Sequence, residues 1–500
     1  MSAKTDLVVI YPNNRVIAYG DLMHEIAAVT PPVDAGLMVA SVRHAGHSVI
    51  MLDAEQKNLS AREAAAEAIK VHPRLICICT DFVNSGDVTK MAAAVATLRE
   101  IKAVNRGIPV IMQGVVPSAY PEKMLNEEGC DLICQGEPYE VLPDLLQWMK
   151  DHEGETCPPQ DMVDGVWGFR DGKLVTSRRR PMIDPNKMQD MPWDLMPPTL
   201  YRAHHWHCFD TLDRRTPYAA LYTNLGCPFG CTFCSVNVVA GQSNFRQRSV
   251  DNVMSEIDLL VTKYGVRNIR LLDNVFTIRL DLVEELCDRI IDRGYDLNFW
   301  AYARVETIRN IDILHKMKKA GVNWLAYGIE AASERVRKAV DKNTNPKFIE
   351  RAIEMTQQAD IAIVGNFIFG LPEDDMESIQ MSFDMAKHYN FEWANFYCAM
   401  AYPGTILYDQ MIKEGVELPK TWSGFGQYSA DALPLSTKYL KSAEILKFRD
   451  EAFVEYYTNP AYYKMLEAKF GPAAVDFVKK ILSIKLPKRK HVQAETLAES

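Results

Sequence analysis

The chain has 500 residues, 48% of them hydrophobic and 24% charged, with a formal net charge of −9. That length suggests about two to four domains, and the acidic balance disfavours a broad nucleic-acid-binding surface. No apolar stretch approaches the ~18 residues of a membrane span, and the N-terminus enters a strand-like run without a signal-peptide core. The expected location is therefore the cytoplasm, with the eleven cysteines as thiols or metal ligands rather than disulfides.

Residues 1–152 alternate strand-like and helix-like segments. Strands are read at 7–11, 48–52, 75–79, 109–112 and 131–134, and helices at 34–45, 61–71, 88–104, 121–128 and 139–152. Five strands each followed by a helix predict a doubly wound α/β domain with a parallel sheet covered on both faces. Such sheets bind ligands beyond the strand C-termini, at the topological switch point. Tyr11, Pro12, Asp53, Thr80, Asp81, Gly114, Gly136 and Glu137 stand there, although some of them serve only to end strands or cap helices. No G-x-G-x-x-G follows the first strand, so a dinucleotide fingerprint is absent. Cys77, Cys79, Cys130 and Cys134 lie in apolar runs and are read as buried packing residues.

Residues 153–215 form a connecting region. The Asp171-Gly172 step between alternating segments predicts a hairpin over 165–175. Arg178-Arg179-Arg180 reads as solvated surface and 188–198 as a linker. His204, His205, His207 and Cys208 lack the spacing of a metal site and read as an interdomain loop.

Helix–strand alternation resumes over 216–410. Strands are read at 219–225, 267–272, 297–302, 323–329, 361–369 and 393–399, and helices near 249–264, 280–293, 309–320, 346–359 and 376–389. At the end of the first of these strands stands Gly226-Cys227-Pro228-Phe229-Gly230-Cys231-Thr232-Phe233-Cys234, a C-x3-C-x2-C pattern on a loop. Three thiolates converging from a short loop suit an iron–sulfur cluster. A four-iron cluster so held keeps one iron open, as a catalytic site requires. Structural zinc wants a fourth ligand, commonly from a second knuckle, and no such pair lies nearby.

Cys227, Cys231 and Cys234, with Phe233 before the last, resemble the signature of radical S-adenosylmethionine (SAM) enzymes. The resemblance implies a [4Fe-4S] cluster whose open iron chelates SAM, and reductive cleavage of SAM to a 5′-deoxyadenosyl radical. The six βα units resemble the partial (βα)6 barrel of that family, which places chemistry at the strand C-termini. Asp273 and Asn274 after the second strand, Arg304 after the third, Glu330 and Ser333 after the fourth, and Gly370 after the fifth are then candidate SAM contacts, with Phe233 beside them. Gly365, Phe245 to Ser249 and Tyr402 to Thr405 match the family as well.

Gln113-Gly114-Val115-Val116-Pro117, Pro121-Glu122 and Asp131 to Pro138 resemble the cobalamin-binding, flavodoxin-like domain found ahead of radical SAM domains. Pro31-Pro32, Gly36-Leu37 and Arg43 to His47 fit its first helix. Val115 and Pro138 stand where the pattern usually has glycines. The D-x-H-x-x-G loop is absent, which implies cobalamin held without a histidine ligand. The cobalamin contacts so implied are Tyr11, Asp53, Thr80, Asp81, Gly114, Gly136 and Glu137.

Residues 411–500 read as a helical region, with helices at 441–457, 463–470 and 473–484 and a disordered tail after the basic run 485–490. The aromatic and hydroxyl-rich stretch 422–439 suits a substrate pocket or lid, or a loop packed on the barrel. The resemblance implies a methyltransferase acting on an unactivated carbon of a small-molecule, lipid or saccharide precursor, with an electron donor such as flavodoxin or ferredoxin. The alternative within the family is a rearrangement, cyclisation or oxidation. A tRNA methylthiotransferase would need a second three-cysteine cluster and a basic RNA-binding domain. A non-catalytic cobalamin sensor would not need an open iron. No nucleic-acid partner and no membrane span are expected.

Overall fold

A computed structural model describes residues 5–15, 27–80 and 88–484. Asp81 and the run 485–490 with the tail after it lie outside the described residues. Among the described residues, no helix is long and apolar enough to cross a membrane.

The first sheet starts from continuous apolar runs that bury on both faces, as parallel strands must. These are β1 (Leu7–Tyr11), β2 (Val49–Asp53), β3 (Leu75–Cys79), β4 (Val110–Gln113) and β5 (Leu132–Cys134). They pair in parallel in the order β2-β1-β3-β4-β5, the flavodoxin-like order with its switch point between β1 and β3. Cys77, Cys79, Cys130 and Cys134 are buried. Helices Val33–His44 and Val141–Asp151 pack together on one face, and Ala61–Lys70 and Lys90–Val104 on the other. Ser60 and Glu63 begin the 61–70 helix with a reciprocal capping box, satisfying donors that a helix start otherwise leaves open.

The predicted hairpin forms as β6 (Val166–Arg170) and β7 (Lys173–Val175). It extends the sheet to seven strands by antiparallel pairing of β6 on β5, an edge extension its local turn signal does not encode.

The second sheet is an open six-stranded parallel barrel wall. Its strands are β8 (Tyr218–Leu221), β11 (Asn268–Leu271), β12 (Asn298–Ala303), β13 (Val322–Glu330), β14 (Ala362–Phe369) and β15 (Trp393–Cys398), neighbours in that order. The first predicted strand, 219–225, is in fact two. The chain leaves β8 at Leu221 and enters β9 (Asn224–Cys227), which pairs antiparallel with β10 (Asn244–Gln247) in a separate ribbon.

One further region differs from the sequence reading. His204 to Cys208 is the plug of the barrel's N-terminal end, where Trp206 meets Trp300, Trp324 and Trp393 at centroid distances of 5.2, 5.3 and 6.4 Å. His207 is fully buried, its Nε2 bonded to the Asn298 carbonyl at 3.0 Å, and burial pushes its pKa down to about 3. The C-terminal helices Ser442–Tyr457 and Pro460–Phe470 sit at the same end. Tyr456, Tyr457 and Tyr462 donate their hydroxyls to the carbonyls of Phe391, Ala394 and Glu392 around the start of β15. With that end sealed, the C-terminal strand ends are the open mouth.

Candidate active site

The ribbon of β9 and β10 carries the cysteine loop. Gly226, at φ +79°, has no room for a side chain, because a Cβ would lie 2.6 Å from the Asn244 carbonyl oxygen. Cys227 ends β9 opposite Asn244, and Cys231 and Cys234 follow on the loop, all three half-buried. The loop is tied down from several sides. Thr232 donates to the Val340 carbonyl at 3.1 Å and accepts from Leu407 at 2.9 Å. Asn237 donates to the Phe229 carbonyl at 2.9 Å. Arg179 donates to the carbonyls of Val238, at 2.9 Å, and Val239. Arg179 is thus a half-buried brace of the loop, not the solvated surface residue its basic run suggests.

Charged groups around the cysteines are paired with one another. Arg304, after β12, reaches Cys231 Sγ at 3.6 Å and stacks over Phe229 at 3.8 Å. Its other side forks onto Glu306 at 2.7 and 3.3 Å, and Glu306 also accepts from Thr344. At the end of β13, Glu330 holds a left-handed backbone (φ +66°) and pairs with Lys342 at 2.7 Å, both side chains buried. Burial pushes the Cys234 thiol up to about 12. Burial also raises Cys227, against the pull of the Phe229 amide, Arg304 and Lys342.

Asp273 takes a different place from the one predicted. It is fully buried and accepts from the Thr223 and Asn224 amides at 2.7 and 3.0 Å and from the Thr223 hydroxyl. It pins the turn between β8 and β9, so it sets the cysteine loop's direction and has no oxygen to spare. Burial raises its pKa to about 6. Gly370 (φ +86°) is likewise committed: its amide and that of Leu371 bond Asp374, and a Cβ there would meet Ile445 at 2.7 Å. Asn274 and Ser333 are half-buried beside these groups, and Ser333 begins helix Glu334–Ala339 without a side-chain cap bond. Phe233 packs on the cluster of Ala331, Val336 and Leu371.

The C-terminal edge of the first sheet faces this loop. Glu137, after β5, forks onto Arg246 of β10 at 2.7 and 3.1 Å and accepts from the Ile183 amide. Gly136 (φ +98°) backs onto Arg179 and the Val239 carbonyl. The Tyr222 hydroxyl donates to Asp34 at 3.1 Å. Glu137 therefore joins the first sheet to the cysteine-bearing ribbon and does not point to a ligand. Asp53 accepts from the Tyr201 hydroxyl at 3.0 Å and the Gln56 amide at 2.9 Å, and burial raises its pKa to about 6. Tyr11 bonds Lys90 through its hydroxyl, and Thr80 donates to the Gln113 carbonyl at 2.9 Å. Among the described residues, Gln113, fully buried at the tip of β4, has no partner for either side-chain amide atom. Gly114 follows it at φ +134° and starts a short helix, Val115–Ala119.

Residues 221–386 match the family model of the Radical SAM superfamily, and residues 20–146 that of the B12 binding domain. The chain is a radical SAM enzyme with a B12-binding domain. Its cofactors are a [4Fe-4S] cluster, SAM and cobalamin. An uncharacterized methyltransferase of Pyrococcus horikoshii is 26% identical over 442 residues, covering 87% of this chain and 89% of its own. An anaerobic magnesium-protoporphyrin IX monomethyl ester cyclase of Rubrivivax gelatinosus is 25% identical over 391 residues, covering 77% and 67%. The radical SAM methyltransferase TsrM from Kitasatospora setae, solved with cobalamin and a [4Fe-4S] cluster, superposes with a TM-score of 0.62 at 15% identity, covering 91% and 90%.

In this radical SAM enzyme the donor set suits the implied groups. Three part-exposed thiols on one braced loop suit a cluster. Among the described residues, no three His, Cys, Asp or Glu side chains gather as a single-ion site. The orphaned Gln113 amide suits a corrinoid, whose rim is fringed with amides. Sequence reasoning assigned no role to Glu306, Lys342, Arg179, Arg246 or Gln113. Arg246 and Gln113 stood within quoted motifs, and Arg179 within a basic run read as solvated surface; Glu306 and Lys342 carry no local signal.

Proposed function

We propose that this enzyme is a cobalamin-dependent radical SAM methyltransferase acting on a carbon of a small-molecule, lipid or saccharide precursor. The observation that carries this reading is the Glu137–Arg246 fork, which sets the strand ends of the B12-binding sheet against the cysteine loop. A group held at either face looks onto the other. The likeness to the Pyrococcus methyltransferase over most of both chains supports the same reaction type.

Cys227, Cys231 and Cys234 would hold the cluster. Arg304 over Phe229 would close one side of it with a fixed cation, and Glu306 holds that cation in place. Asn274, Ser333 and the Glu330–Lys342 pair would line the SAM position. Thr80, Gln113, Gly114 and the Gly136 backbone would contact the corrinoid. Bound there, the cluster with SAM supplies hydrogen-atom abstraction and cobalamin supplies a methyl group. The chain's own part is positioning and exclusion of water. Segment 422–435 packs on the end of β15, with Gln427 accepting from the Cys398 amide and Leu435 donating to the Ala399 carbonyl. Trp422 donates to Glu128 of the first domain at 2.9 Å. This segment would close the side of the mouth against solvent. An electron donor such as flavodoxin or ferredoxin would supply the reductant.

With the correct substrate, S-adenosylhomocysteine and 5′-deoxyadenosine should appear in near-equal amounts as the product gains one methyl. Product formed with deoxyadenosine but without S-adenosylhomocysteine would overturn methylation. A cyclisation or oxidation would then be the better account, a reading favoured by the likeness to the Rubrivivax cyclase.

A further inference from the structure

The inner face of the barrel carries amides where a filled barrel carries branched apolar side chains. Along β15, Ala394 and Phe396 are buried toward the helices, so Trp393, Asn395 and Tyr397 face the interior. Register sets Asn395 beside Asn366 of β14 and Gly328 of β13. On this face Tyr302, Gly328, Ile368, Asn395 and Tyr397 are half-buried, whereas Ala301, Phe367 and Phe369 on the outer face are fully buried. Surface left accessible on the inner face means that the strands enclose space above the Trp206 plug. A Cβ on Gly328 would lie 2.5 Å from Glu330 Oε1 and 3.0 Å from Lys342 Nζ. The amide row therefore stands next to the paired wall of the mouth.

The two amides are fixed end to end. Trp393 Nε1 can only donate, and it gives its proton to Asn395 Oδ1 at 3.0 Å. Asn395 Nδ2 then donates to Asn366 Oδ1 at 2.9 Å. Asn366 Nδ2 ends the chain on the Tyr327 carbonyl, which can only accept, at 3.1 Å. With a donor at one end and an acceptor at the other, neither amide can flip without losing bonds on both sides. Among the described residues, Asn395 is left with one N–H and one oxygen lone pair uncommitted. The charges on this face are engaged elsewhere. Glu330 is bonded to Lys342 and Arg304 to Glu306. Arg270 lies over the Trp300 ring, two inward positions nearer the closed end.

We propose that Asn395, held by Trp393 and Asn366, is a specificity-determining residue of the substrate cavity. It selects an uncharged group that both accepts and donates a hydrogen bond, such as a carboxamide, a lactam or a hydroxyl. A carboxylate or phosphate would gain one N–H and set another oxygen against the Asn395 lone pair, with no cation to offset its desolvation. An ammonium or amidinium would be set against the N–H, with no free carboxylate beside it. That the selected molecule is the methyl acceptor rests on the reading above; the selectivity itself does not.

The experiment uses the full chain with its cluster reconstituted and left oxidised, so that nothing turns over. The probes are benzamide, benzoate and benzamidinium, alike in size and different in charge. Their affinities are measured by saturation-transfer NMR for wild type, Asn395→Asp, Asn395→Leu and Trp393→Phe. Wild type should bind benzamide about tenfold more tightly than either ion. Asn395→Asp keeps the size but carries only acceptors and a negative charge, so its preference should move to benzamidinium. Asn395→Leu should lose the preference for benzamide. Trp393→Phe frees the Asn395 amide to turn and should narrow that preference. Equal binding of benzamide and benzoate by wild type, binding of none of the three, or an unchanged order in Asn395→Asp overturns the proposal. Iron and sulfide content equal to wild type shows that a variant has folded, and Asn395→Leu carries the test if Asn395→Asp does not fold. Deoxyadenosine formed with product but without S-adenosylhomocysteine would remove the methylation reading and leave the ranking of probes in place. A flat ranking would remove the selectivity and leave the two SAM products as expected.

Discussion

The barrel mouth and the ligand-facing edge of the first sheet handle buried polarity in opposite ways. At the mouth, Arg304 is spent on Glu306, Glu330 on Lys342, and Asp273 on the β8–β9 turn. At the sheet edge, Gln113 is buried without a side-chain partner among the described residues. Paired groups are a wall, rigid before any ligand arrives. Unpaired ones cost stability until something binds. The difference teaches which buried polar residues prepare a site and which wait to be completed.

The largest break in this comparison comes from the cysteines. Replacing Cys227, Cys231 or Cys234 singly with Ala should reduce SAM cleavage to background and lower iron and sulfide content. The melting temperature of the metal-free chain should hardly move, because the loop is braced through Arg179, Asn237 and Thr232. A variant that still cleaves SAM reductively would remove the cluster from its proposed place.

Next in size is the wall itself. Lys342→Met leaves the Glu330 carboxylate buried and unpaired, a loss of about 3–5 kcal/mol. Adding Glu330→Gln should restore much of that loss, so denaturant unfolding of the two single variants and the double variant gives a cycle with strong coupling. Additive losses would mean that the pair is not part of the wall.

Much of this architecture was legible in the chain. The runs at β1, β3 and β4 are too continuously apolar for anything but buried parallel strands, and all six barrel strands stand within a few residues of their expected positions. The cysteine spacing identified its loop. What stayed hidden depends on contacts distant in sequence. Glu137 looks like a strand-end ligand because its partner, Arg246, stands 109 residues away. Asp273 looks like a cofactor contact because the turn it holds lies 50 residues earlier. The His204 stretch looks like an interdomain loop because its tryptophan packs against three strands that come later. Lys342 follows a turn with no motif at all.

The Asp273 pin predicts a pH effect. Its carboxyl titrates near 6 in the folded chain, against 3.8 ordinarily, because burial disfavours the charge. Here the folded state holds the proton more tightly than the unfolded one. The favourable contribution is therefore full below about pH 4 and is lost as pH rises through 6, a change of up to about 3 kcal/mol. Asp273→Asn removes that titration. In melting curves of the metal-free chain, the advantage of wild type over Asp273→Asn should shrink between pH 4.5 and 7. A constant difference would mean that the carboxyl titrates at its ordinary value.

The smallest effect is the sharpest test, because stability and binding should move in opposite directions. Gln113 is fully buried, and neither its amide oxygen nor its amide nitrogen finds a partner among the described residues. Leucine has a similar volume and no polar atoms, so Gln113→Leu removes a desolvation cost without opening a cavity. The ligand-free chain should gain about 1–3 kcal/mol, read from urea unfolding. Cobalamin affinity should fall by about tenfold, since an amide on the corrinoid rim would lose its partner. The paired wall behaves the other way: no substitution at Glu330 or Lys342 alone should stabilise the free chain. If Gln113→Leu destabilises the chain, the amide is satisfied inside the protein and the two regions do not differ as described. If it stabilises the chain and leaves cobalamin binding intact, Gln113 is a tolerated packing residue and the corrinoid contacts lie elsewhere along the strand ends.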